Sequence, residues 1–178
     1  MAELIIEKLD RDVLAQEFDC GNSSINRQVT ESYFPTLLQY AYAYKVSTSD
    51  TVVGYYMIKL RTIKMQDAPA DISEYVCGFI EDCSSIHIKY IAVDKRYQHE
   101  KIGTNVLKII ITQVLNLCNK LPITLITLNA LKEKYEWYKD KGFVAFDEEE
   151  LNDSQPVIQM YMGCIIDKKA VKDYCSNI

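Results

Sequence analysis

Residues 88–104 read IKYIAVDKRYQHEKIGT, and this stretch decides the fold. Ile88, Tyr90 and Ala92 recur at a period of two and share a face with Ile86, so 85–93 is read as a strand ending at Val93. A polar turn follows, and a helix opens near Ile102. Residues 102–120 carry the β-branched run Ile109-Ile110-Ile111, which by propensity favours a strand. Length and pattern decide for a helix: Asn105, Lys108, Thr112, Asn116 and Asn119 form one polar stripe on a segment otherwise mostly apolar. Such a strand–loop–helix junction presents unpaired amides with the positive end of a helix dipole behind them, a setting suited to phosphate oxygens. Any strand-to-helix turn exposes amides, so this feature alone leaves a purely structural reading open.

Working outward, 4–9 reads as an opening strand. Asp19-Cys20-Gly21-Asn22 is a turn, with Asn22 or Ser23 capping a helix that should stop near Pro35. The stretch 40–47, YAYAYKVS, alternates Tyr40, Tyr42 and Tyr44 on one strand face, and pairs through Ser49-Asp50 with a second strand at 52–60. Residues 64–85 read as irregular, with a short helix around 72–80. Downstream, 123–129 is a buried strand and 131–141 a helix with Gly142 as its left-handed stop. Segments 143–146 and 157–162 complete the strands, and 167–175 is a short helix. The order β, α, β, β, β, α, β, α, β, β predicts an α/β fold with a mixed central sheet and helices on both faces.

The 178 residues suit one domain spanning 1–178. With 48% apolar and 25% charged residues, the chain is expected to fold rather than stay disordered. No apolar run reaches the roughly 20 residues of a membrane span. The start, MAELIIEKLDRD, lacks the pattern of a secretory signal, so a cytoplasmic location is expected. Six cysteines without a CxxC pair, and only two histidines, predict free thiols and no metal site. The net charge of −5 argues against broad non-specific nucleic-acid binding but leaves room for a local basic face.

The segment Val93-Asp94-Lys95-Arg96-Tyr97-Gln98-His99-Glu100-Lys101-Ile102-Gly103 resembles the acetyl-CoA-binding motif of GNAT acetyltransferases, V-D-x-x-[YF]-[QR]-x-x-G-x-G. One helix and one strand later, Asn129-Ala130 precedes Glu136-Trp137-Tyr138-Lys139-Asp140-Lys141-Gly142-Phe143, which is similar to the family's N-x-(several)-[FW]-Y-x-x-x-G-F. The two motifs stand at the family's spacing, and the resemblance covers nearly the whole chain. It implies a GNAT fold and an N-acetyltransferase whose cosubstrate is acetyl-CoA, acting on a primary amine by direct attack without a metal.

The resemblance also assigns residues. The strand ending at Val93 should splay from its neighbour, so that the pantetheine arm pairs with backbone at Ile91, Ala92 and Val93 and an amide there stabilises the oxyanion. Gln98, His99, Lys101, Ile102, Gly103 and Thr104 should surround the pyrophosphate, and Asn129 should bond the cofactor arm. Tyr138 matches the general acid to the departing thiolate; a phenol with a pKa of about 10 stays protonated at neutral pH yet can donate. Lys101 departs from the pattern, standing where the family has glycine. Either its ammonium pairs with the phosphates, or its Cβ crowds them and weakens the site. No general base is evident. His87, opposite Ile86 and Ile88, is either a base or a solvated or hydrogen-bonded side chain, and a neutral amine needs none.

Leu9-Asp10-Arg11, Phe18 to Asn26, Val53-Gly54-Tyr55-Tyr56 and Ala92 to Gln98 are similar to one GNAT branch, which includes toxins that acetylate the amino group of aminoacyl-tRNA. That likeness implies tRNA as a partner, an antitoxin as another, and a homodimer, which is common in the family. The tRNA would meet Lys59, Arg61 and Lys64 at one strand end, and Lys132, Lys134, Lys139 and Lys141 on the helix of Tyr138. A small-molecule or protein amine as acceptor, or a catalytically weak binding module, are the alternatives, and a solvated helix face is the plain reading of the lysines.

Overall fold

The computed structural model describes residues 3–9, 17–49, 51–64, 67–68, 81–151 and 155–164. The helices expected around 72–80 and 167–175 lie outside them. Seven strands, β1 (Leu4–Lys8), β2 (Tyr42–Thr48), β3 (Thr51–Lys64), β4 (Asp82–Val93), β5 (Ile123–Leu131), β6 (Val144–Ala145) and β7 (Val157–Gly163), form one sheet in the order β1-β2-β3-β4-β5-β7-β6. The helices are α1 (Ser23–Thr30), α2 (Tyr33–Leu37), α3 (Ile102–Cys118) and α4 (Tyr135–Lys139). Antiparallel pairing joins β1 to β2, β2 to β3, β5 to β7 and β6 to β7. Neighbours β4 and β5 are connected through α3, the crossover that a parallel pair requires. The sheet is therefore mixed and the protein α/β, as the element order predicts. Among the described residues no helix is long and apolar enough to cross a membrane.

The chain divides into two compact units, Met1–Leu60 with Ile88–Gln113, and Arg61–His87 with Val114–Ile178. In the first, Ala41 and Ala43, Tyr55 and Met57, and Tyr90 and Ala92 repeat at period two. They bury one face together with Leu9 and with Val29 of α1. On β3's other face the fully buried Tyr56 stacks on Tyr44, with ring centroids 4.8 Å apart. The core of the second unit includes Ile63, Cys83, Leu125 and Tyr161, with Phe146 packed against it.

Local chemistry explains where elements begin and end. Asn22 caps α1, its side chain accepting the Ile25 amide at 3.1 Å. The chain then departs from expectation. The first helix ends at Thr30, five residues before Pro35, and α2 restarts with Pro35 inside its first turn, where an amide hydrogen has no helical acceptor. Between them Ser32 is buried, its hydroxyl donating to Gln28 O at 2.6 Å and pairing with the Tyr90 hydroxyl. Tyr40 is 62% exposed and precedes β2, because Gln39 turns the chain through a left-handed φ of 55°.

The expected helix at 131–141 is shorter. Leu131 stays in β5, paired with Val157, and the Lys132 amide donates to Pro156 O at 3.2 Å. A 3-10 turn at Lys132–Lys134 follows, and only then α4. Strand β6 keeps two of the residues expected at 143–146.

One glycine fixes the edge that leads to the site. A Cβ on Gly54 of β3 would lie 2.6 Å from the Ala92 carbonyl oxygen of β4, so no other residue permits this approach. Just beyond, the Asp94 amide donates to Val53 O at 2.9 Å.

Candidate active site

The strand end, turn and helix start of 91–104 come together within the first unit. The Asp94 amide points at β3, and backbone groups alternate along a strand. The N–H groups of Ile91 and Val93 therefore lie on the edge facing away from β3. Asp94 is 1% exposed and ends the strand as a cap. Its carboxylate accepts the Arg96 amide and Nε, both at 2.9 Å, and Nη2 at 2.8 Å. The Arg96 side chain holds this carboxyl below its ordinary pKa, against the opposing effect of burial.

Beyond the 3-10 turn Lys95–Tyr97, His99 and Lys101 both take left-handed conformations, with φ of 70° and 63°. Lys101 thus takes a backbone shape that glycine adopts without steric cost. A side chain there costs about 1–2 kcal/mol, which neighbouring bonds must offset.

Helix α3 opens next. Its first internal bond runs from Asn105 N to Lys101 O at 3.0 Å, so the amides of Ile102, Gly103 and Thr104 have no intrahelical acceptor. Its first turn carries no acidic residue. Gly103 has ample room, since a Cβ would meet only Val93 Cγ2 at 3.7 Å, an ordinary contact. The protein's own packing therefore does not require glycine, although glycine in a helix costs about 1 kcal/mol relative to alanine. A phosphate group approaching the backbone would require it.

Gln98 sits differently from its sequence assignment. Its amide nitrogen turns back into the protein, donating to Val93 O at 3.0 Å and Cys20 O at 2.9 Å. Sequence reasoning also missed the partners of this loop. Asp19, Asn26 and Arg96 drew notice only as parts of motifs, and no local pattern pairs residues some 75 positions apart.

Asn129 and Tyr138 belong to the second unit. Asn129 is exposed on β5, opposite Gln159 of β7. Tyr138 lies on α4 between Trp137, with centroids 4.7 Å apart at 82°, and Phe143, at 5.8 Å and 76°. Gly142 ends this segment with φ of 89°, as expected, and the Phe143 amide returns to Tyr138 O at 3.2 Å. Burial pushes the Tyr138 phenol up to about 12. His87 is buried, with Nδ1 3.1 Å from Thr127 Oγ1, so its ring is hydrogen-bonded within the protein rather than solvated.

The basic residues fall into separate groups. Lys59, Arg61 and Lys64 follow one another along β3, where Lys59 donates to the Tyr40 hydroxyl at 3.1 Å. Lys132 and Lys134 lie in the 3-10 turn rather than on the helix of Tyr138, whereas the Lys139 ammonium sits over the Tyr135 ring.

Comparison with known proteins bears on this arrangement. No curated protein matches the chain. Solved structures match its fold. A structure described as a bacterial toxin is 16% identical, has a TM-score of 0.76, and is covered over 98% of its length by 100% of this chain. AtaT complexed with acetyl-methionyl-tRNAfMet is 18% identical, with a TM-score of 0.73, covering 90% of this chain and 95% of that one. A mutant AtaT toxin bound to the C-terminus of the antitoxin AtaR and acetyl-CoA is 21% identical, with a TM-score of 0.70 and 97% of each chain covered. The model of the acetyltransferase (GNAT) domain family matches residues 64–164, more than half of the sequence. The chain belongs to the GNAT family of N-acetyltransferases.

Proposed function

We propose that residues 1–178 form one acetyltransferase domain that moves the acetyl group of acetyl-CoA to a primary amine, with aminoacyl-tRNA as acceptor. The observation that carries the donor half is the left-handed loop running into an uncountered helix N-terminus at Gly103, a glycine the protein's own packing does not need. Its chemistry fits a pyrophosphate. The amides of Ile102, Gly103 and Thr104 meet phosphate oxygens, His99 lines the turn, and the Lys101 ammonium supplies charge. Gln98 braces the loop from behind. Ile91 and Val93 pair with the pantetheine arm, beside Ala92, and Asn129 is the residue of the second motif assigned to that arm.

The amine nitrogen attacks the thioester carbonyl, and a strand-end amide stabilises the oxyanion. The carbon–sulfur bond then breaks, and the sulfur leaves as thiolate. A phenol held at about 12 is a weaker acid than a thiol, so Tyr138 serves as hydrogen-bond donor to the leaving sulfur. The proton that finally neutralises the thiolate comes from the attacking nitrogen.

The acceptor half is supported by the fold likeness to AtaT complexed with acetyl-methionyl-tRNAfMet. Lys59, Arg61, Lys64, Lys132 and Lys134 are the residues to meet phosphates. The likeness to the AtaT–AtaR complex supports an antitoxin partner. Thiol release from acetyl-CoA, measured with a panel of amines and with charged tRNA, tests the whole reading. Release with small amines alone would reject the tRNA acceptor, and no release with any amine would reject the enzyme. Calorimetry tests Lys101. CoA should bind Lys101→Gly several-fold more weakly than wild type, with the gap closing at high salt, on the order of the worth of one partly screened charge pair. Tighter binding by the glycine variant would reject the charge role.

A further inference from the structure

Two segments distant in sequence, Glu17 to Asn26 and Val93 to Gln98, are knotted together by polar bonds. The Lys95 amide donates to Asp19 O at 2.8 Å, and Lys95 Nζ to Asp19 Oδ2 at 2.7 Å. Arg96 Nη2 reaches Glu17 O at 3.2 Å, and Gln98 Nε2 reaches Cys20 O at 2.9 Å. Asn26 of α1 ties the near side. Its Oδ1 accepts the Cys20 amide at 2.9 Å, and its Nδ2 donates to Asp19 Oδ1 at 2.8 Å. Asp19 Oδ1 also accepts the Gly21 amide at 2.8 Å.

We propose that Asn26 and Asp19 are positioning residues that hold the phosphate loop in its left-handed form, so that a chain without the loop glycine still presents its amides to a pyrophosphate. The inference rests on the donor reading above. Left-handed residues that carry a Cβ persist only where their surroundings over-determine them. His99 and Lys101 lie between two anchors. On one side α3 begins at once, with the Asn105 amide on Lys101 O. On the other, Gln98 is fixed by its two carbonyl acceptors, and one of these, Cys20 O, stands where Asn26 and Asp19 hold that turn. Only residues 99–101 are left to close the gap. Asn26 acts through Cys20 and then Gln98, so its influence on a ligand is conveyed by the shape of the loop.

The test is a double-mutant cycle read by calorimetry with CoA as the titrant, on wild type, Asn26→Ala, Lys101→Gly and the double variant. Asn26→Ala should weaken CoA binding about tenfold, the worth of the two bonds it makes in this half-buried network. In the Lys101→Gly background the same substitution should cost measurably less than in wild type, because glycine takes the left-handed form at 101 without steric cost and only His99 is left to be held. Equal losses in the two backgrounds, as a merely structural asparagine would give, overturn the proposal, as does no loss in the wild-type background. Should Asn26→Ala fail to fold, Gln98→Met removes the same brace and carries the same comparison. A wild type that binds no CoA sinks the donor reading and this inference with it, whereas a binding wild type with an additive cycle sinks this inference alone.

Discussion

Two regions of the chain, one in each unit, are built by opposite means. In the first unit, 93–103 is held by directional polar bonds: Asp94 collects three from Arg96, and Gln98 donates two. In the second, 135–143 is held by rings set edge to face around Tyr138. The difference follows from the task proposed for each. A loop for phosphate must put N–H groups at fixed points, and hydrogen bonds fix points because they are directional. A phenol keeps its proton at neutral pH in any setting, and burial beside aromatic neighbours extends that range upward. Geometry tunes the first region and desolvation the second, so the two should fail in different ways.

The largest effect is expected on the aromatic side. Tyr138→Phe keeps every ring contact and removes only the hydroxyl. Acetyl transfer should slow at least about tenfold, while affinity for CoA and the thermal midpoint stay near wild type. Turnover equal to wild type would remove Tyr138 from the mechanism. The pH profile sharpens the point. A phenol at about 12 stays protonated well above neutrality, so the rate should not fall between about pH 8 and pH 10. A descending limb centred near the ordinary phenol value would mean the ring cage does not desolvate the hydroxyl.

On the polar side stability should fail first. Asp94→Asn leaves an acceptor for the Arg96 amide, but its new NH2 faces a guanidinium donor. A loss of roughly 2 kcal/mol at neutral pH is expected, the scale of charge-assisted bonds to a buried group. The folded pKa of Asp94 is depressed, so its contribution is present above the ordinary carboxylate range and lost as pH falls through the folded value. Denaturation curves of wild type and variant should therefore converge in acid. A constant gap down to about pH 2 would show that the carboxylate's charge is not what holds the turn.

The contrast also explains how far the sequence could be read. Patterns of short period carried through: the alternation that builds β4, the polar stripe of α3, the Asn22 cap and the left-handed Gly142 all stand where expected. Each depends on residues within a few positions of one another. What depended on distant partners did not. Pro35 reads as a stop, but a break at Glu31–Ser32 comes first, where Ser32 finds Tyr90 some sixty residues away. The helix expected from Leu131 starts late: Leu131 stays in β5 against Val157, Pro156 O accepts the Lys132 amide, and Lys132–Lys134 form a 3-10 turn before α4. Within the site, motif matching singled out Gln98, yet only the fold reveals that its side chain grips Cys20 and Val93. Lys101 is the clearest case. Its identity departs from the motif, while its φ of 63° is one that glycine adopts freely.

The two glycines, one per region, give the finest test of the comparison. Gly142 is left-handed at φ of 89°, and a Cβ there would press Met162 Cε at 3.3 Å. Gly142→Ala should cost about 1–2 kcal/mol in chemical denaturation without altering CoA affinity, because the demand for glycine comes from the backbone itself. Gly103 is helical, and a Cβ there meets nothing closer than Val93 Cγ2 at 3.7 Å. Gly103→Ala should raise stability by about 0.5–1 kcal/mol, the usual gain for alanine in a helix. If phosphate approaches this backbone, the same variant should bind CoA several-fold more weakly, on the order of the loss expected when a close backbone contact is pushed apart. Stability and affinity would then move in opposite directions at Gly103. A variant that gains both would leave the helix N-terminus without a ligand to explain its glycine, and the phosphate would have to sit elsewhere on the loop.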